Sequence, residues 1–175
     1  MKKWQTLGGN YTIEEILTEI RDTEKKGINV RDMSWFLRIK DFTIDEYMIY
    51  EAKLLGASAV LLIVSILDDA QLKEYLDLSH DLGLSAIVET HDANEIKTAL
   101  DAGAEIIGVN NRNLADFTVD IENSIRLRSL VGDDVVFISE SGIKTKEDVT
   151  RLKENNVDAV LIGETLMRSE DKKSM

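Results

Sequence analysis

From Ala59 onward, short apolar runs alternate with longer segments in which hydrophobic positions recur every three or four residues. The runs are Ala59 to Leu67, Ala86 to Val88, Ile106 to Val109, Val135 to Ile138 and Ala159 to Ile162. They are short and aliphatic, often β-branched, as expected of strands covered on both faces. Amphipathic spacing predicts helices near 45 to 55, 69 to 82, 92 to 102, 120 to 130 and 145 to 155. Strands alternating with single helices imply right-handed crossovers and a parallel sheet, an α/β class. Gly56, Gly83 and Gly103 each follow a helical pattern, where a left-handed C-terminal cap is expected. Upstream, Thr12-Ile13-Glu14-Glu15 reads as a capping box opening a helix that ends at Gly27, and Ile28 to Ile39 should contain a further strand.

The apolar runs stop in polar residues. Val135-Val136-Phe137-Ile138 gives way to Ser139-Glu140-Ser141-Gly142, and the other strand patterns close on Lys40, Ser65, Glu89, Asn110 and Glu164. Ligands bind at the C-terminal ends of strands in α/β folds, so six such tips could surround one ligand. Read singly, they have plainer explanations. Lys40 could be a surface lysine at a strand end, the three glutamates solvated rim carboxylates, and Asn110 and Asn111 turn residues. His91 reads as part of a helix start.

Composition narrows the classes. The 175 residues suit one domain, 1–175. A net charge of −12 argues against nucleic acid and anionic membrane surfaces as partners, though one small phosphate could still bind backbone N–H groups. With no cysteine there is no disulfide or thiolate chemistry, and His80 and His91 lack a third ligand at metal spacing, so neither metal nor cofactor is expected. No apolar run approaches the ~20 residues of a membrane span, and a cytoplasmic location is expected. Proline is absent where average usage near ~5% would give roughly nine, which hints at an engineered or selected sequence.

Several segments carry a resemblance. Lys40-Asp41-Phe42, Val88-Glu89-Thr90-His91-Asp92, Ile107-Gly108-Val109-Asn110-Asn111-Arg112-Asn113-Leu114, Ser139-Glu140-Ser141-Gly142-Ile143 and Leu161-Ile162-Gly163-Glu164-Thr165-Leu166-Met167-Arg168 stand in the order and spacing of the indole-3-glycerol-phosphate synthase family. The chain resembles that family over about residues 40 to 168. The resemblance implies a (β/α)8 TIM barrel that closes the indole ring of a carboxyphenylamino-deoxyribulose phosphate, with loss of carbon dioxide and water. It places Lys40 as general acid on the sugar carbonyl and Glu89 in the later dehydration. Asn110 would position the reacting sugar, with Glu140 and Ser141 lining the pocket. Phe42, Arg112, Gly142, Gly163 and Glu164 would contact substrate or hold its phosphate.

The family pattern also begins with two further strands, the first bearing a catalytic Glu and Lys, and these have no match here. The expectation is therefore a parallel β/α repeat derived from a TIM barrel with about six strands retained, since roughly 31 residues per unit allow between five and six. Catalysis would be impaired or absent. The alternative is an engineered or evolved barrel fragment without catalysis, at most binding a phosphorylated ligand. Open sheet edges would favour a homodimer or swapped oligomer, unless Met1 to Leu7 pairs as a substitute strand.

Overall fold

The computed structural model describes residues 4–6, 9–11, 42–113 and 116–168. The expected helix from Thr12, the strand within Ile28 to Ile39, and Lys40 lie outside the described residues. Strands β1 (Trp4–Thr6) and β2 (Gly9–Tyr11) pair antiparallel with each other in a separate two-stranded sheet. Met1 to Leu7 was expected as a possible substitute strand for the main sheet. Its described part, Trp4–Thr6, pairs instead with β2.

The main sheet follows the alternation. It runs α1 (Glu46–Leu54), β3 (Ala59–Ile63), α2 (Asp69–Asp81), β4 (Ser85–Thr90), α3 (Ala93–Ala102) and β5 (Ile106–Asn110). It continues with α4 (Glu122–Arg128), β6 (Val136–Glu140), α5 (Lys146–Glu154), β7 (Ala159–Leu161) and α6 (Glu164–Arg168). Strands β3 to β7 are all parallel, and each pairs with its sequence neighbour. A sheet wound in one direction by right-handed crossovers keeps its helices on one face, which is the arc of a barrel and not a doubly wound sheet. This is the α/β repeat that the alternation predicts, with five parallel strands among the described residues. No helix among them is long and apolar enough to cross a membrane.

Local sequence sets the element ends. Asp68 and Gln71 form a capping box at the start of α2, Thr145 and Asp148 another at α5, and Asp92 caps α3. Gly56, Gly83 and Gly103 all have positive φ, as their positions predict. Two strand boundaries differ from the apolar runs. The run to Leu67 leaves the sheet at Ile63, and Val64–Ile66 turn as a 3-10 helix, so Ser65 sits in a turn and not at a strand tip. Conversely, β6 continues through Ser139 and Glu140, because Glu140 pairs with both Asn110 and Leu161.

The two-residue period of the strands sorts side chains by face. Val60, Leu62, Ala86, Val88, Ile107, Val109 and Phe137 join the core shared with the helices. The intervening positions, Leu61, Ile63, Ile87, Glu89, Gly108, Asn110, Ile138 and Glu140, therefore face the other way. That second face carries the polar groups.

Candidate active site

Pairing register builds the site. Glu89 sits opposite Gly108 across the β4–β5 ladder, and Asn110 sits opposite Glu140 across β5–β6. The three polar side chains therefore share one face within two rungs. Gly108 is the residue that lets them converge, because a Cβ there would overlap Oε1 of Glu140. Glu140 is fully buried, Glu89 is 4% exposed and Asn110 9%. Asn110 Nδ2 donates to Glu89 Oε1 at 2.9 Å, and Asn110 Oδ1 accepts from the Arg112 backbone at 3.0 Å. The amide is thus held at both ends.

His91 completes this corner. Its backbone N–H donates to Glu95 Oε2 at 2.7 Å, and its ring Nδ1 lies 3.0 Å from the same oxygen. Its Nε2 lies 3.5 Å from Glu89 Oε1. The hydrogen bond to Glu95 raises the imidazole pKa above its ordinary value; burial opposes this, and the charges of Glu95, Glu89 and Asp92 add to it. The helix cap proper is Asp92, so the ring of His91 does more than start α3.

Beside the acid–base corner lies a second polar knot. Asn111 Oδ1 accepts from the Ser124 backbone at 3.1 Å and from its hydroxyl at 2.8 Å. Asn111 Nδ2 donates to Ser139 Oγ at 2.9 Å and to the Ser141 carbonyl at 3.1 Å. One side chain thereby ties β5, α4, β6 and the turn after it. That turn is unusual: Ser141 and Gly142 are consecutive residues with φ of 67° and 80°. Gly142 is needed twice over, for its left-handed backbone and because a Cβ would strike Val119.

Two cavities open on this rim. One, of about 730 Å³, is bordered by Ser141, Gly142, Gly163, Glu164, Arg112 and Arg168 among others. The other, of about 550 Å³, is bordered by His91, Glu95, Asn110, Asn111, Arg112 and Arg126 among others. Arg112 lies between them. Its guanidinium donates to Glu164 Oε2 at 2.9 Å, and Arg168 approaches the other oxygen of Glu164 at 3.1 Å.

The model of the indole-3-glycerol phosphate synthase family matches residues 9–175. The chain belongs to this family. It is 61% identical over 132 residues to indole-3-glycerol phosphate synthase of Ruminiclostridium cellulolyticum, covering 75% of this chain and 51% of the relative. The synthase of Leuconostoc mesenteroides is likewise 61% identical over 133 residues, with 76% and 51% covered. The chain thus spans about half the length of the curated relatives it matches. Solved structures share the fold at low identity. Thiamine phosphate pyrophosphorylase from Pyrococcus furiosus superposes with a TM-score of 0.58 at 17% identity, over 72% of this chain and 59% of that one. Mandelate oxidase with benzoyl-formic acid gives 0.58 at 16%, over 72% and 48%.

For this synthase-family chain, Glu89, Asn110 and Glu140 gather on one face, while Ser141, Gly142, Gly163, Glu164 and Arg112 gather around the larger cavity. Phe42 is 64% exposed before α1 and stands apart from both groups. Lys40 lies outside the described residues. Reasoning from sequence missed Ser124, the second anchor of Asn111, and the Glu89–His91–Glu95 spacing. The latter had a signal: residues two apart at a strand end share a side, and residues four apart at a helix start meet. Among the described residues, no group of three or more acidic or histidine side chains is arranged to hold a metal ion.

Proposed function

We propose that this chain binds a carboxyphenylamino-deoxyribulose phosphate on the rim and contributes part of the acid–base set that closes its indole ring, releasing carbon dioxide and water. The observation that carries the reading is the buried Asn110–Glu89 hydrogen bond next to Glu140, two carboxylates and an amide gathered on one face of the sheet. Lys40 acts as general acid on the sugar carbonyl, Glu89 moves a proton in the dehydration, and Asn110 orients the sugar. Glu140 and Ser141 line the pocket. Backbone N–H groups around Gly142 and Gly163 hold the phosphate, with Arg112 at the border of that cavity.

A second reading, a barrel fragment that folds without catalysis, is favoured by Glu164. Its carboxylate already engages Arg112 and Arg168, the cations that would otherwise meet a phosphate. One experiment separates the two. Indole-glycerol phosphate formation is followed by chromatography for the parent chain, Lys40→Ala and Glu89→Gln, with melting temperature measured with and without substrate. Product that depends on both residues supports the lyase; neither product nor a raised melting temperature from a folded sample leaves the fragment reading. Association through β3 and β7, the outer strands of the main sheet among the described residues, is a further part of the proposal, tested by solution mass at several concentrations; a strict monomer rejects it.

A further inference from the structure

We infer that His91, clamped by Glu95, is a positioning residue that holds the Glu89 carboxylate against Asn110. The inference rests on the reading above only for what it means in turnover. The arrangement itself is argued from contacts. Glu95 Oε2 receives both the backbone N–H of His91 and its ring Nδ1. An ionised carboxylate only accepts hydrogen bonds, so Nδ1 carries the proton. Rotation of the ring is thereby stopped, and a third tie comes from Asn123 Nδ2, which donates to the His91 carbonyl at 3.0 Å.

With Nδ1 committed, Nε2 can face Glu89 in two ways. As a lone pair it would set two acceptors against each other at 3.5 Å inside a site where Glu89 is 4% exposed. As N–H⁺ it meets an opposite charge. The second arrangement is the attractive one, an ionic contact longer than a hydrogen bond, aimed at the same oxygen that accepts from Asn110 Nδ2. The hydrogen bond from β5 and the charge at the end of β4 therefore converge on Oε1. Among the described residues the surroundings carry mixed charge: Glu89 from β4, Asp92 and Glu95 from the start of α3, Arg112 after β5, Asp120 just before α4 and Arg126 within it border the ring or its cavity. Arg126 is occupied by Asp120 at 3.1 Å. The hydrogen bond to Glu95 and the charges of Glu95, Glu89 and Asp92 keep the imidazole protonated to a higher pH than an exposed histidine, against the effect of burial.

The test uses the full chain with ¹⁵N-labelled histidine and no substrate. There are only two histidines, and His80 supplies an internal reference signal. The ring nitrogens of His91 are followed through a pH titration in the parent chain, Glu89→Gln and Glu95→Gln. The expected result is a His91 midpoint above that of an ordinary imidazole in the parent chain, shifting down in each variant while the His80 signal is the same in all three. A midpoint that moves with Glu95→Gln but not with Glu89→Gln overturns the inference and leaves His91 as part of the helix start. Should Glu89→Gln fail to fold, Glu89→Asp, which withdraws the carboxylate by one methylene, must still lower the midpoint. In turnover, His91→Gln should lower kcat and shift its pH limb with KM little changed. Absence of any turnover would count against the lyase reading alone, because the titration decides the positioning role without it.

Discussion

A methyl group at residue 108 would report directly on how the site is packed. Gly108→Ala adds a Cβ that overlaps Glu140 Oε1 and sits 3.1 Å from its Cδ and 3.3 Å from Ile87 Cγ2. The carboxylate it displaces is fully buried, so it has little room to move. Overpacking of this kind costs about 1–3 kcal/mol. Against this, replacing glycine at a residue with ordinary backbone angles restrains the unfolded chain and returns about 0.4–1 kcal/mol. The net expectation is a loss of about 1–2 kcal/mol, or roughly 2–8 °C in Tm for a chain of this size. The assay is urea denaturation of the four members of a cycle: parent, Gly108→Ala, Glu140→Ala and the double variant. Removing the Glu140 side chain vacates the space that the new methyl needs, so Gly108→Ala should become neutral or stabilising there. The contact with Ile87 is present in both backgrounds and cancels. Coupling of about 1–2 kcal/mol is expected, within the range seen for touching residues. Additivity to within about 0.5 kcal/mol would refute the claim that Gly108 is glycine to make room for Glu140.

Other perturbations test the supporting contacts. Asn111→Ala removes four hydrogen bonds and strands the Ser124 N–H, while the Ser124 and Ser139 hydroxyls keep only each other, so a loss of about 3 kcal/mol in urea denaturation is expected. Arg128 donates to the carbonyls of Asn156 and Val131 and lies 5.6 Å from the Phe137 ring centroid; Arg128→Lys keeps the charge but loses the fork, and should cost about 1–3 kcal/mol in the same assay. The carboxyl of Asp148 is held below its ordinary pKa chiefly by the backbone N–H of Lys144, with burial opposing and Thr145 adding its N–H and hydroxyl. A depressed carboxyl stabilises above its unfolded pKa, and that contribution is lost as pH falls through the folded value. Melting temperatures from pH 7 down to about pH 3 should therefore fall less in Asp148→Ala than in the parent chain, with a deficit of about 0.5–1 kcal/mol at neutral pH.

The sheet was legible because burial on both faces writes an uninterrupted apolar run, and the helices because one face repeats every three to four residues. The strand ends were less so. Glu89, Asn110 and Glu140 read as tips that follow the strands, yet all three lie within them, paired to neighbours. Hydrophobicity could not show this, since it records what a side chain avoids and not how far a ladder extends. At the other boundary Val64 to Leu67 continues the apolar run while the backbone has already turned at Val64–Ile66, so an apolar residue there marks packing and not pairing.

The difference between the residues that sequence could and could not assign is one of face. Glu89, Asn110 and Glu140 lie two by two with apolar residues along strands whose alternate positions, Val88, Val109 and Ser139, turn toward the helices. A charged or amide group on the inner face is conspicuous because nothing in the strand itself can satisfy it. Ser139 is on the opposite face and reads in the sequence as ordinary punctuation at a strand end, yet its hydroxyl lies 2.8 Å from that of Ser124 and accepts from Asn111. That bond joins residues 28 positions apart, and no local period announces it. Yet it is this hidden side that fixes the visible one: Asn111 grips the Ser141 carbonyl immediately after Glu140, holding the strand end that carries the carboxylate. Loss of the knot should therefore loosen Glu140.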